Sequence, residues 1–326
     1  MKFSYSSLTT YEECPKKFDL HYNKRIRPKK IDSPLFFGNA TDEAFSRLLL
    51  EKKKNLTDDE KLLMVKSWRE VFDENMKVSR DQNLATNEWC DYSKKDFSPD
   101  LLTEEDYSKL KEFDGEIYDF LSFYQECRDV IEKGKKLSLQ DQKTYNYMNW
   151  LSLYNKGLLL IDAYEKEVIP KISEVFDIQK TITLNNGEDE ITGKIDFKCS
   201  FIDEPDKVYI CDNKTSSKAY KEDSVSTSLQ LAIYCESEEI LDASYVVVEK
   251  EVRKREPKIR ITIIKDKISE ESFQKAFQRV DNLVKLIKSG EFSGKSDKKQ
   301  CYSFGKKCPY YKYCWEGSMS GLETKP

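Results

Sequence analysis

Residues 190–234 read EITGKIDFKCSFIDEPDKVYICDNKTSSKAYKEDSVSTSLQLAIY, and their periodicity decides the fold. Ile191, Gly193, Ile195 and Phe197 alternate with Thr192, Lys194 and Asp196, so a strand period of two places Asp196 opposite the apolar set. Val208, Ile210, Asp212 and Lys214 share one parity in a second run. Asp212 and Lys214 therefore project the same way, about 7 Å apart along an extended chain. A helix is expected from near Ser226, and on it Gln230 and Tyr234 stand at i and i+4, on one side.

Two carboxylates and a lysine brought together have a chemical use. Mg²⁺ is a hard cation held by one or two carboxylates, water and substrate phosphate. A lysine beside it can place charge on a phosphate oxygen or help to deprotonate the attacking water. The set suits phosphodiester hydrolysis.

Gly193-Lys194-Ile195-Asp196 followed by Asp212-Asn213-Lys214 resembles the G-x-I-D and D-x-K pair of the PD-(D/E)XK nuclease superfamily, and Gln230 to Tyr234 resembles the Q-x-x-x-Y element of its RecB-like branch. The resemblance implies an α/β (α+β) fold, with a restriction-endonuclease-like mixed sheet flanked by helices. It also implies that Gln230 and Tyr234 lie near the active site and position the DNA strand. Taken singly, such residues are commonly solvated turns or plain packing. The ordered set carries the reading.

The chain has 326 residues, 38% hydrophobic and 35% charged, with a net charge of −4. Its N-terminal stretch has no apolar core of the signal-peptide kind, and no apolar run approaches the ~20 residues of a membrane span, so a cytoplasmic protein is expected. A net negative charge means that positive charge for DNA must be local. Lys24, Arg25, Arg27, Lys29 and Lys30 form one such patch; Lys250, Arg253, Lys254 and Arg255 form another.

Residues 4–22 suggest a capped helix interrupted by Pro15, with Leu8, Tyr11, Cys14 and Phe18 at helical spacing. They resemble the S-x-x-x-L-x-x-Y-x-x-C-P-x-x-F opening of RecB-like nucleases. From Pro34 a loop is expected to feed a helix packing Ala44, Phe45, Leu48 and Leu49. Relatives carry G-x-x-x-H here, and counting from Gly38 puts Asp42 in the metal-binding place, with Glu43 as the alternative ligand. An aspartate favours the harder ions Mg²⁺ or Mn²⁺.

Residues 51–170 show helical stripes. One runs over Leu110, Phe113, Ile117, Leu121, Tyr124, Cys127 and Ile131, with Thr103 as cap and Gly134 as stop. The expected organisation is an N-terminal part of the core (1–50), a helical insertion (51–170), the catalytic core (171–290) and a cysteine-rich staple (291–326). A hairpin about Asn185-Asn186-Gly187 should precede the Asp196 strand, and relatives place an acid near Glu174 at the edge of the site. Two further strands and an amphipathic helix at 269–288 complete an α-β-β-β-α-β order.

Nine cysteines and a single histidine, His21, point to metal or burial and away from disulfides or a histidine-rich zinc centre. Cys301, Cys308 and Cys314 are clustered, and the resemblance supplies Cys14 as a fourth ligand. It implies a [4Fe–4S] cluster stapling the domain, with zinc second and bare thiols third. The spacing between Cys301 and Cys308 is longer than in iron–sulfur relatives. The other cysteines read as small core residues.

The whole is similar to AddB-type nuclease domains, exonuclease V and iron–sulfur CRISPR-associated exonucleases. That resemblance implies a metal-dependent DNA exonuclease working on ends or single strands in recombination, repair or phage DNA processing. Asp42, Asp196, Asp212 and the carbonyl of Asn213 would hold the ion, and Lys214 would aid the attacking water. The rivals are a site-specific or CRISPR-adaptation endonuclease and a non-catalytic stapled DNA-binding subunit. No phosphate-loop motif is present, so unwinding would need a helicase or recombination partner.

Overall fold

The computed structural model describes residues 1–29, 33–85, 101–115, 117, 119–250, 259–303 and 306–325. In chain order the elements are β1 (Lys2–Ser4), α1 (Tyr5–Glu13), α2 (Pro15–Phe18), β2 (Ile26–Pro28), α3 (Ser33–Lys52), α4 (Asp58–Leu63), α5 (Trp68–Ala85), α6 (Glu104–Phe113), α7 (Phe120–Glu132) and α8 (Leu139–Glu167). They continue with β3 (Ile172–Asn186), β4 (Asp189–Phe201), β5 (Glu204–Ser216), α9 (Leu229–Glu238), β6 (Asp242–Glu249), β7 (Ile261–Lys267), α10 (Glu270–Lys288), β8 (Tyr302–Ser303), β9 (Lys306–Lys307), α11 (Tyr311–Glu316) and β10 (Leu322–Thr324).

A mixed sheet runs β1-β4-β5-β6-β7, with β3 antiparallel along the other side of β4. The β3–β4 hairpin turns at Gly187, whose φ of 64° only glycine adopts cheaply. β5 and β6 are parallel and joined through α9. Ala243 to Val248 of β6 are all buried, as a strand covered on both faces requires. One face carries α3, α5, α6, α7 and α8; the other carries α1, α9 and α10. α10 buries Phe273, Ala276, Val280, Leu283, Val284 and Ile287, each large side chain stabilising by about 1.5–3 kcal/mol. The fold is thus the mixed α/β, restriction-endonuclease-like class that the motifs implied. Among the described residues no helix is long and apolar enough to cross a membrane.

The structure departs from the sequence reading in several places. The loop expected from Pro34 is helix, since α3 starts at Ser33; a proline in a first turn is compatible with that. The single stripe over 103–134 is two helices. Thr103 caps the first through a reciprocal bond with Asp106, and Asp119 caps the second by accepting from Leu121 and Ser122. Between them Asp114 leaves helical geometry and accepts from Thr144 and Gln140 of α8. Tertiary partners for Asp114 thus outweigh helical continuity. α9, by contrast, begins close to Ser226 as expected, after its cap Ser228. Gly134 does end α7, with φ 70°.

The alternation on β4 also changes phase. Ile191 and Ile195 lie in the core under α9 and α10, whereas Phe197, Cys199 and Phe201 lie in the core under α3 and α8. β3 switches with it, between Ile178 and Ile182. Gln179, between them, has φ 53°, the left-handed region, and its place in the register is opposite Asp196. The uniform alternation expected through Phe197 is therefore corrected: both strands are re-aimed at Asp196.

Candidate active site

β4 and β5 are registered so that Phe197 faces Cys211, which sets Asp196 beside Asp212. Asp196 Oδ2 accepts the backbone N–H of Asn213 at 2.7 Å. Asp212 is 1% exposed. Its Oδ2 lies 2.5 Å from Lys214 Nζ but accepts no well-aligned hydrogen bond. Asp42 reaches the pair from α3, and Gln179 Nε2 donates to its Oδ2 at 3.0 Å.

The three acids share an electrostatic problem. Burial pushes the Asp196 carboxyl well above its ordinary range, and the charges of Asp212 and Asp42 push it further. Asp42 is raised to about 6 by burial and by Asp212 and Glu43, against the hydrogen bond from Gln179. Asp212 is raised by burial and opposed by Lys214. Carboxylates so confined call for a cation. Of the two neighbouring acids on α3, Glu43 is half exposed and pairs with Arg47, so Asp42 is the one that meets the strands.

Lys214 is a positive charge here. Burial alone would lower its pKa, but Asp212 outweighs burial and holds the ammonium above the usual lysine range. Nζ donates to Gln230 Oε1 at 3.0 Å, and Gln230 Nε2 donates to Tyr234 Oη at 3.0 Å. The i, i+4 pair of α9 thus forms a relay ending on the lysine. Gly193 is needed beneath it, because a Cβ there would stand 2.4 Å from Tyr234 Cε1. Lys214 Nζ also sits 5.5 Å from the ring centre of Tyr245, on which Tyr220 packs edge-on at 5.5 Å.

Four contributors escaped the sequence reading. Tyr164 of α8 is fully buried, stacks on Phe45 of α3 at 4.1 Å, and donates its hydroxyl to Asn213 Oδ1 at 3.1 Å. Gln179 carries no motif. Tyr245 and its partner Ser228, 2.6 Å apart, carry no motif either. Glu174, by contrast, is exposed and registered with Ser200; it is not gathered with the acids. Of the basic patches, Lys24 pairs with Asp19 at 3.0 Å and Arg27 lies over the Tyr22 ring at 5.5 Å. Lys30, Arg253, Lys254 and Arg255 lie outside the described residues.

Cys14, Cys301, Cys308 and Cys314 line one cavity of about 290 Å³. Cys14 is held extended by the proline that follows it. Cys301 Sγ accepts from Trp315 Nε1 at 3.3 Å. Burial raises the thiols of Cys308 and Cys314. His21 Nδ1 meets Tyr310 Oη at 2.8 Å, and the tyrosine gives its own proton to Ile26 O at 2.9 Å, so the imidazole is the donor. β2 pairs with β10 alongside. Cys127, Cys199, Cys211 and Cys235 are buried in the two cores, as expected of small core residues. Cys90 lies outside the described residues. Among the described residues no three His, Cys, Asp or Glu side chains are arranged to hold a metal ion by themselves.

A search of curated proteins finds no match to the chain. The model of the PD-(D/E)XK nuclease superfamily matches residues 2–315, nearly the full length, and spans every element of the acid–lysine site. With its mixed sheet and the Asp196, Asp212 and Lys214 constellation on adjacent strands, the chain belongs to the PD-(D/E)XK nuclease superfamily.

Proposed function

We propose that the protein is a metal-dependent DNA exonuclease of the RecB-like branch, hydrolysing phosphodiester bonds at DNA ends or in single strands, in the cytoplasm. The observation that carries this is that Asp196 and Asp212 lie side by side on adjacent strands, within electrostatic reach of Asp42 and with a charged Lys214 against Asp212. The residues fit a divalent ion. Asp42, Asp196 and Asp212 are buried together with Lys214 as the charge that opposes them, and such acids leave the rest of a coordination shell to water and phosphate, as Mg²⁺ prefers. Asp42, Asp196, Asp212 and the carbonyl of Asn213 would hold Mg²⁺ or Mn²⁺, which supplies Lewis acidity and a lowered pKa for a bound water.

The chain's own residues do the rest. Lys214, kept protonated by Asp212, neutralises a phosphate oxygen as charge develops. Gln230 and Tyr234 fix the direction of that ammonium. Tyr164 and Asp196 hold Asn213 from both of its faces, side chain and backbone. Action on single strands or frayed ends is supported by Tyr220, 37% exposed and flanked by exposed Lys218 and Lys221. Its ring is no further from the Lys214 ammonium than two 5.5 Å steps through Tyr245. An exposed aromatic between lysines suits stacking of a base with its phosphates held alongside.

Cys14, Cys301, Cys308 and Cys314 would hold a [4Fe–4S] cluster. What supports this reading is that the four cysteines line one cavity and that an indole N–H donates to the Cys301 sulfur. The division into an N-terminal part, a helical region, a catalytic core and a cysteine-rich staple belongs to the same reading.

The test is cleavage of end-labelled single- and double-stranded DNA and a closed circle, with Mg²⁺ or Mn²⁺, by anaerobically purified wild type and Asp212→Ala. Loss of linear DNA alone, absent in the variant, supports the exonuclease. Cutting of the circle favours an endonuclease. No metal-dependent difference between the two proteins would leave a stapled DNA-binding subunit.

A further inference from the structure

Gln179 is a non-glycine residue inside a strand with φ 53°, and nothing in its sequence demands that backbone. Such strain persists only where surroundings over-determine it, and it concentrates at functional sites. Here β3 and β4 both change phase around it, so its side chain leaves the strand toward α3. Nε2 donates to Asp42 Oδ2 and to Ser46 Oγ, each at 3.0 Å, one helical turn apart on α3. A single amide therefore fixes an acid on a helix relative to acids on the sheet.

We propose that Gln179 is a positioning residue that makes Asp42 a one-oxygen ligand: it occupies Oδ2, anchors itself on Ser46, and leaves Oδ1 to face Asp196 and Asp212. The proposal rests on the nuclease reading of the acid site. An aspartate is shorter than a histidine and has two equivalent oxygens, so a ligand placed there needs a second residue to select one oxygen and hold it. Gln179 supplies that selection at the cost of a strained backbone. Outer partners of this kind typically change metal affinity about 10–100-fold when removed.

The experiment compares Mn²⁺ binding, read from the electron-paramagnetic signal of free Mn²⁺, with DNA cleavage and melting temperature. It uses the full chain as wild type, Gln179→Gly, Asp42→Asn and the double variant. Glycine accepts the left-handed backbone, so Gln179→Gly should melt at or above wild type. It should nevertheless bind Mn²⁺ about tenfold or more weakly and cleave correspondingly slowly. The double variant should bind like Asp42→Asn alone, because Gln179 acts through Asp42. Should Gln179→Gly fail to fold, Gln179→Asn takes its place: asparagine also tolerates that backbone but is one methylene short of Asp42. Wild-type Mn²⁺ affinity in the variant, or a loss that adds fully to that of Asp42→Asn, would overturn the proposal. A folded wild type that neither binds Mn²⁺ nor cleaves DNA would instead overturn the nuclease reading, and Gln179's role with it.

Discussion

The backbone N–H of Asn213 donates to Oδ2 of Asp196 at 2.7 Å, so the acid of one strand is bonded to the peptide that follows the acid of the next. Asp196 thus has a structural acceptor and a charge, and the two can be separated. Asp196→Asn keeps an oxygen for that N–H and should melt within a few degrees of wild type. Metal-dependent cleavage should fall by about a thousandfold or more. Asp196→Leu, which strands the N–H, should lose a further 1–3 kcal/mol or so of stability. Denaturant melts and single-turnover cleavage read the two effects, and an active Asp196→Asn would contradict them.

Gly193 and the Tyr234 ring occupy touching space, since an added Cβ would meet Cε1 at 2.4 Å. Gly193→Ala should cost about 1–3 kcal/mol, the usual penalty of overpacking. It should also lower kcat, because displacing Tyr234 releases Gln230 and then Lys214. Adding Tyr234→Leu should restore the melting temperature and leave kcat low. Recovery of both together would mean that the relay has no part in turnover.

Asp42, with a carboxyl raised from 3.8 to about 6, gives stability a definite slope with pH. Between those values the folded chain binds the proton more tightly than the unfolded chain does. Its contribution to stability is therefore fully present below 3.8 and is lost as pH rises through about 6. A carboxyl raised from 3.8 to about 6 corresponds to roughly 3 kcal/mol of that contribution. Asp196 and Asp212 are raised in the same direction and steepen the slope. Urea midpoints of metal-free protein across this range should fall with rising pH, and Asp42→Asn should flatten part of the fall. Mn²⁺ at neutral pH should restore it. A midpoint that rises with pH in the metal-free wild type would refute this account.

Tyr220 offers a test of substrate form. Tyr220→Ala should raise KM for single-stranded DNA about tenfold, in line with the worth of one stacked base, and change KM for blunt duplex little. Lys218→Ala with Lys221→Ala should weaken both substrates and reduce the salt dependence of binding. Equal KM effects of Tyr220→Ala on the two substrates would remove the loop from any role in choosing unpaired DNA.

Local order was readable where local chemistry sets it. The Asn185-Asn186-Gly187 turn, the Asp212–Lys214 parity and the Gln230/Tyr234 pair all follow from spacing alone. The left-handed Gln179 could not be read, because positive φ is signalled by glycine or asparagine and neither is there. Tyr164 was hidden among the core positions of a 29-residue helix, where its ring stacks on Phe45 while its hydroxyl donates to Asn213. The break between α6 and α7 was hidden because the apolar spacing runs through it; Asp114 is drawn out by Thr144, thirty positions later. Such choices are made by tertiary partners, which a periodicity does not contain.

The pairing of Ile26–Pro28 with Leu322–Thr324 also sets a timetable for assembly. β1 can join the sheet only after residue 192 has been made, and β2 finds its partner only after residue 324. Helices α3 to α8 can collapse on local contacts well before then, in microseconds to milliseconds. The contacts that close the nuclease around Asp196 come from far apart in sequence and form late. A ribosome-bound chain halted short of residue 322 would hold its helical half folded and the strand at 26–28 unpartnered, an edge that invites mispairing.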